Sequence, residues 1–430
     1  MNLTYEQARA FLAEAGKKGS ILGLSTMEQL METLHFSYEL PVIHLAGTNG
    51  KGSVGAYLQS ILLEAGYRVG RYTSPAVFEE LEVFRINGRN ITREDYARMM
   101  SQVKNACDIL VSKGGPSPTA FEIETALAFL YFTEEKVDVV LLETGMGGAT
   151  DATNVIPNPL ACVITTISRD HMQFLGESIE EIAQVKAGII KPGCRVFSAW
   201  QQERVEAVLR AVAKKQRASI SFVDKEALCR ISQRPGQLRF SYKDHTYETS
   251  MAGSYQMDNA ALAMDVAEWF LTEHGLKHEQ VHELLQKAVA ATIWPGRFEV
   301  VREKPLWILD GAHNEDAAVR LFDTLQNCFT NTRITLIIGV LADKEHGRML
   351  EILAPLAEEI LTVTPDNPRA LDGESLKKEA MEYHRNVICC ESLEEAIEKC
   401  RLKETVVACG SLSYLGDLKR KLEQAWIEKR

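Results

Sequence analysis

Seven consecutive residues, Gly47-Thr48-Asn49-Gly50-Lys51-Gly52-Ser53, combine three glycines with one lysine. The apolar run Val42-Ile43-His44-Leu45-Ala46 leads into them, and a helical pattern from about Gly52 to Ala65 follows. Strand, glycine-rich turn and helix start form the context of a phosphate-binding loop. Glycines let backbone N–H groups approach phosphate oxygens, and the helix N-terminus adds partial positive charge. Lys51 then reaches the terminal phosphates. Position 52, where the common GxxxxGK[ST] pattern has a hydroxyl for magnesium, is glycine, so metal ligands must come partly from elsewhere.

Three strand-like runs end in polar groups. Val69 to Tyr72 ends in Thr73-Ser74-Pro75, Val137 to Thr144 carries Glu143, and Leu160 to Ser168 runs into Arg169-Asp170-His171. In a parallel sheet these carboxyl ends share one edge with the phosphate loop, where Ser74, Glu143 and His171 are candidate ligands of ATP-bound magnesium. Each has an ordinary reading as well: a serine before proline is a turn residue, and a histidine after a strand is a solvated one. Lys186 is the odd residue of its helix. In the pattern Ile179, Ile182, Ala183, Lys186, Ile189, Ile190 it falls within the apolar stripe. Either its stem packs while its ammonium snorkels to water, or a desolvated amine of lowered pKa reacts with carbon dioxide to give a carboxylate-like carbamate. Further on, Asp310-Gly311-Ala312-His313-Asn314 follows the apolar run Leu306 to Leu309, and Arg297 follows Pro295-Gly296. A guanidinium there balances phosphate charge and Asp310 accepts ribose hydroxyls, unless Arg297 is simply a surface residue.

Short apolar runs alternating with helical patterns imply an α/β protein with a mainly parallel sheet. The nearly unbroken run Val137 to Leu142 suits a central strand covered on both faces. Gln237 to Ser250 reads as an antiparallel hairpin at one edge of the first domain, and a long helix is expected from about Tyr255 to His274. Pro295-Gly296 marks the domain boundary, giving domains 1–294 and 295–430; strands in the second are expected at Leu306 to Leu309, Ile334 to Val340, Ile360 to Thr364, Val387 to Cys389 and Thr405 to Ala408.

The 430 residues, 46% apolar and 25% charged, suffice for two or three ordinary cores. Fifty-nine acidic against 48 basic residues give a net charge of -11, which opposes nucleic-acid and anionic-membrane partners. Without a signal-type N-terminus or a membrane-spanning run, the expected location is the cytoplasm. Nine cysteines without CxxC spacing suggest neither disulfides nor zinc.

Taken in order, GTNGKGS, YTSP, LLETGMGGATDATN, SRDHMQFLG, VKAGIIKPG, GSYQMDNAA, WPGRFE, DGAHN, LADK and CGSLSYLG closely resemble the folylpolyglutamate synthase and dihydrofolate synthase family, within the Mur-type ligases. The resemblance runs from about residue 20 to residue 417. It implies a phosphate-loop domain followed by a smaller Rossmann-like domain, and ATP-dependent, ADP-forming addition of L-glutamate to a reduced folate or dihydropteroate by a monomeric enzyme. It implies that Gly47 to Ser53 hold the phosphates, that Ser74 and Glu143 bind a first magnesium and His171 a second, and that Lys186 forms a carbamate. Asn259, Arg297, Asp310 and His313 match nucleotide-binding positions, and a monovalent cation such as potassium is also implied. Lys51, Glu143, His171 and Lys186 are then the catalytic set, with metal ligation a simpler role for His171 and Lys186 than deprotonation of the amine.

Two segments depart from the family. Its Thr-Glu-Phe-Glu reads Thr119-Ala120-Phe121-Glu122 here, and its Asn-Glu-Arg reads Leu81-Glu82-Val83; both lie near the expected pterin position. A cell-wall Mur ligase is the nearest rival, disfavoured by having only 46 residues ahead of the loop. A nucleotide-binding module without catalysis would not need the strand-end ligands, and a dehydrogenase lacks the GxGxxG spacing in Gly145-Met146-Gly147-Gly148.

Overall fold

The computed structural model describes residues 3–19, 21–170, 172–329 and 333–427. Contacts divide the chain into two compact units, Met1–Asp224 with Ala261–Ala288, and Lys225–Ala260 with Val289–Arg430.

The first unit is built on eight strands: β1 (Val42–Ala46), β2 (Val69–Tyr72), β3 (Phe84–Ile86), β4 (Arg89–Asn90), β5 (Val139–Glu143), β6 (Ala161–Ile164), β7 (Arg195–Ser198) and β8 (Ser219–Phe222). Their order is β4-β3-β2-β5-β1-β6-β7-β8, parallel from β2 to β8 with β3 and β4 antiparallel at one edge. β1 lies between β5 and β6, with Leu45 opposite both Glu143 and Val163. The loop after β1 therefore opens beside the carboxyl ends of β5 and β6, with β2 one strand further. β1, β2, β5 and β6 are buried along their whole length, the condition that favours apolar strands in a parallel sheet.

Among the described residues as far as Lys186 this unit has seven α-helices, in chain order α1 (Tyr5–Gly16), α2 (Ser25–Thr33), α3 (Lys51–Glu64), α4 (Arg93–Ser112), α5 (Ala120–Glu134), α6 (Met172–Leu175) and α7 (Ile179–Lys186). Residues of α1, α2, α4 and α5 share one core with Tyr72, Phe84, Val140 and Leu142. Ile182 and Ala183 of α7 join a second core with Cys162, Ile164 and Val196. The helix expected to run to Ile190 stops at Lys186 and continues as a 3-10 turn, Ala187–Ile189. Gly188 faces Ala149 so closely there that a Cβ would lie 2.4 Å from the alanine's own.

The first departure from the family pattern has a local explanation. Thr119 caps α5, and Glu122 reaches back so that its Oε2 accepts from the Thr119 N–H at 2.7 Å and the Thr119 hydroxyl at 2.8 Å. The reciprocal pair needs positions 119 and 122 only, so Ala120 leaves the capping box whole. In the second departure, Glu82 anchors its loop: Oε1 accepts from Val77 and Phe78 N–H, and Oε2 from the Arg85 guanidinium.

Glu124, one turn into α5, is raised by burial to about 7. A carboxyl whose proton affinity is higher folded than unfolded contributes stability below its unfolded pKa and loses it as pH rises through the folded value. Glu124→Gln is therefore expected to stabilise the fold at pH 8 by on the order of 2–3 kcal/mol, an advantage that vanishes near pH 4. Thermal melts of the two proteins across this range check it; a constant difference contradicts it.

In the second unit, β9 (Leu228–Arg234), β10 (Gln237–Tyr242) and β11 (His245–Thr249) form an antiparallel sheet. The expected hairpin is thus three-stranded, and its contacts group it with the second unit and not with the first. One reason is that β9 packs on the helix Glu315–Cys328, while the Ser254 N–H donates to Thr324 Oγ1 at 2.9 Å. A six-stranded sheet follows: β12 (Glu299–Glu303), β13 (Leu306–Leu309), β14 (Ile334–Ile338), β15 (Ala357–Thr362), β16 (Val387–Cys389) and β17 (Thr405–Cys409). Its order is β12-β13-β17-β14-β15-β16, with only β12 antiparallel. All nine cysteines are free thiols. Among the described residues no helix is long and apolar enough to cross a membrane.

Candidate active site

β1 delivers the chain into Gly47, whose φ is 150° and where a Cβ would lie 1.9 Å from Thr165 Oγ1. Only glycine fits. Gly50, at φ 95°, turns the chain into α3, which begins at Lys51. Lys51 Nζ curls back over the loop, donating to the carbonyls of Gly47 at 3.1 Å and Thr48 at 3.4 Å. Ser53 is buried in the first turns of α3.

Thr48 and Asn49 use their side chains on the protein itself. The Thr48 hydroxyl donates to Ser168 O at 3.0 Å and accepts from the Ser168 N–H at 3.1 Å, while Asn49 Nδ2 donates to Ser168 Oγ at 3.4 Å. Gln201 holds the same segment from beyond β7: its Nε2 donates to Thr165 O at 3.0 Å and its Oε1 accepts from Ile167 N–H at 3.1 Å. The stretch leading to Asp170 is thereby tied to the phosphate loop. Gln201 was invisible in the sequence, since a glutamine in a loop carries no signal of which strand it will bind. His171 lies outside the described residues.

At the ends of β2 and β5, Glu143 is buried and its Oε2 accepts from the Thr73 hydroxyl at 2.7 Å. Tyr72 pairs with Leu142, so Thr73 stands beside Glu143, and Ser74 follows half-buried. Ser74 is the hydroxyl expected from the sequence, yet it is Thr73 that meets the Glu143 carboxylate, because strand register, set by long-range pairing, decides between them.

Lys186 lies 4% exposed, and its Nζ donates to the Gly47 carbonyl at 2.9 Å. The ammonium does not snorkel to water. Burial first, and then the neighbouring Lys51, lower its pKa to about 7 against the opposing pull of Asp170 and Asp151. The loop Met146 to Asn154 presses α7 into place: Ala149 N–H donates to Val185 O at 2.8 Å. Asp151 fastens the loop itself through the Met146 N–H and the Thr153 N–H and hydroxyl.

The second unit gathers another set. Asp310 at the end of β13 is buried and raised by that burial, while its Oδ2 accepts from Tyr255 Oη at 2.5 Å and Phe298 N–H at 2.9 Å, and its Oδ1 from Ala312 N–H at 2.9 Å. Three protein donors already meet this carboxylate, so the expected acceptor of ribose hydroxyls is first an organiser of its own loop. Tyr255 was missed because nothing in the sequence signals its pairing 55 residues away. Arg297 is half-buried against Gly311, where a Cβ would lie 1.9 Å from its Nη1. His313 Nδ1 bonds Gly311 O at 2.8 Å, and Asn259 Nδ2 donates to Gln256 Oε1 at 3.1 Å. Gly311→Ala must displace Arg297; on the expectation that this guanidinium meets nucleotide phosphate, ADP affinity falls roughly 10–100-fold, as when a charge-assisted contact is lost. An ADP titration checks this, and unchanged affinity gives Arg297 no such role.

Residues 45–267 match the Mur ligase middle domain and residues 296–412 the Mur ligase glutamate ligase domain. The dihydrofolate synthase/folylpolyglutamate synthase of Bacillus subtilis is 38% identical over 98% of this chain and 100% of its own. The chain belongs to the dihydrofolate synthase/folylpolyglutamate synthase family. It is accordingly an ADP-forming amide ligase of the Mur type. The folylpolyglutamate synthase of Mycobacterium tuberculosis complexed with ADP has a TM-score of 0.87 at 29% identity, covering 97% of this chain and 98% of that one. The Escherichia coli FolC complex with DHPP and ADP has a TM-score of 0.84 at 27% identity, over 97% and 98%. The alternation that suggested a phosphate-loop α/β domain followed by a second α/β domain is the architecture of this family.

Proposed function

We propose that this chain joins L-glutamate to a reduced folate or to dihydropteroate in the cytoplasm, consuming ATP and releasing ADP and phosphate. The observation that carries the substrate is the end-to-end relationship to the Bacillus subtilis family member. The net charge of -11 supports small-molecule partners over nucleic acid or an anionic surface.

A carboxylate is a poor acyl donor, and transfer of the γ-phosphoryl group of ATP onto it makes an acyl phosphate with ADP as leaving group. The amine of glutamate then attacks the acyl carbon, a tetrahedral adduct forms, and phosphate departs to leave an amide. Gly47 to Ser53 orient the phosphates, and Lys51 offsets charge on the transferring oxygens. Arg297 offers a second fixed charge for polyphosphate, with Asn259, His313 and Asp310 completing the nucleotide set.

The residues present suit a hard cation. Thr73 orients one Glu143 oxygen, while the other accepts no hydrogen bond among the described residues, and Ser74 adds a hydroxyl at the adjoining strand end. No group of three or more His, Cys, Asp or Glu forms a cluster among the described residues, so the site needs oxygen from hydroxyls, water, phosphate or a carbamate. Lys186, dry and lowered to about 7, is a reactive amine for carbon dioxide: its nitrogen bonds the carbon and releases a proton. Ser74, Glu143, carbamylated Lys186 and His171 would hold magnesium, which when bound neutralises phosphate charge.

An acceptor labelled with oxygen-18 in its reacting carboxylate tests the chemistry. One label atom should appear in released phosphate for each amide formed; amide formation without labelled phosphate overturns the acyl-phosphate route.

A further inference from the structure

Arg71, in the middle of β2, is 2% exposed. A buried guanidinium is costly unless its donors and charge are met. One donor group is met by the Gly52 carbonyl in the first turn of α3, since Arg71 Nη2 donates to it. Burial works against the charge, and the group that most supports it is Glu143, followed by Glu82. Glu82 already accepts from Val77, Phe78 and Arg85, which leaves Glu143 as the carboxylate with capacity to spare. Strand register agrees. Gly70 and Tyr72 face the helical core of α4 and α5, so Arg71 and Thr73 share the opposite face, the one on which Thr73 bonds Glu143. α3 makes room for the side chain with Gly55, where a Cβ would lie 3.3 Å from both Nε and Nη2 of Arg71.

We propose that Arg71 is a positioning residue of the nucleotide site, coupling the first turn of α3, through Gly52, to the Glu143 carboxylate. Position 52 has no hydroxyl to connect the loop to a cation; Arg71 bonds that residue's carbonyl and, paired with Leu141, lies on the same sheet face as Glu143. The inference rests on the nucleotide and metal roles given above to the phosphate loop and Glu143.

Calorimetric titration of ADP, with excess magnesium and again with EDTA, tests it in the whole protein. The parent should bind ADP more tightly with magnesium; absence of that gain overturns the reading of the site and the inference with it. Given the gain, Arg71→Met should reduce it by about tenfold or more, as loss of a group orienting a metal ligand does, and Arg71→Lys should restore part. Gly55→Ala keeps every charge and a good helix former, yet crowds the guanidinium; it should reduce the gain in the parent and have no effect in the Arg71→Met background. If the gain is unchanged in a folded Arg71→Met protein, or if Gly55→Ala acts equally in both backgrounds, Arg71 only fastens α3 to the sheet and the proposal falls.

Discussion

In the Lys186→Ala variant, ATP-dependent glutamate addition is expected to fall by on the order of 10²–10³-fold or more, the scale of losing one preorganised charge at a reacting phosphoryl group. Formate or acetate should restore part of the rate by occupying the place of the proposed carbamate. The reason lies in where the side chain ends: Nζ bonds the Gly47 carbonyl within the phosphate loop and is shielded from water. With its pKa lowered to about 7, the amine becomes neutral as pH rises through that value, and only the neutral amine takes up carbon dioxide. Under 13C-labelled carbon dioxide, a carbamate resonance should therefore grow from pH 6 to pH 8 in the parent and be missing in Lys186→Ala. Full activity of the alanine variant would remove this lysine from the mechanism.

Lys51→Met is expected to lower the single-turnover rate by roughly 10³–10⁵-fold, comparable to other cationic groups acting on a transferring phosphoryl. ADP should still bind, because the cradle proposed for it consists mostly of backbone N–H groups and the start of α3. A linked effect separates electrostatics from collapse of the loop. Lys51 is the charged neighbour that lowers Lys186 after burial itself. Its removal must raise the Lys186 pKa, so the carbamate resonance should appear at a higher pH in Lys51→Met. A rate within tenfold of the parent, or an unmoved carbamate midpoint, would contradict the arrangement.

The segments legible in the sequence were those whose chemistry is local. β2 and β13 coincide with the expected runs Val69 to Tyr72 and Leu306 to Leu309, because a continuous apolar stretch between turn residues has few other fates. β9 was missed. Its residues Leu228–Arg234 are mostly exposed on both faces, so neither alternation nor an apolar run marks it, and it is a strand only because β10 pairs with it. β12 is an edge strand, Glu-Val-Val-Arg-Glu, half-buried as far as Arg302 and exposed at Glu303, with the same weakness.

The candidate site divides in the same way. The glycine-rich turn between β1 and α3 was legible because its glycines answer local demands, as Gly47 does against Thr165. Lys186 stood out as a charge in an apolar stripe, but its partner, the Gly47 carbonyl 139 residues away, follows only from the sheet order. Thr73, Gln201, Tyr255 and Arg71 each act through a partner far along the chain, and no periodicity announces such pairs. Thr48 and Asn49 teach the converse: a motif marks a position, while the side chains at it here clamp Ser168.

Phosphate release from ATP in the presence of L-glutamate, with either dihydropteroate or tetrahydrofolate as acceptor, is the most direct measurement of the central claim. Release that requires glutamate and at least one of these acceptors, together with a product heavier by one glutamyl residue, is the predicted result. Release with neither, but with a UDP-muramyl acceptor, would contradict it.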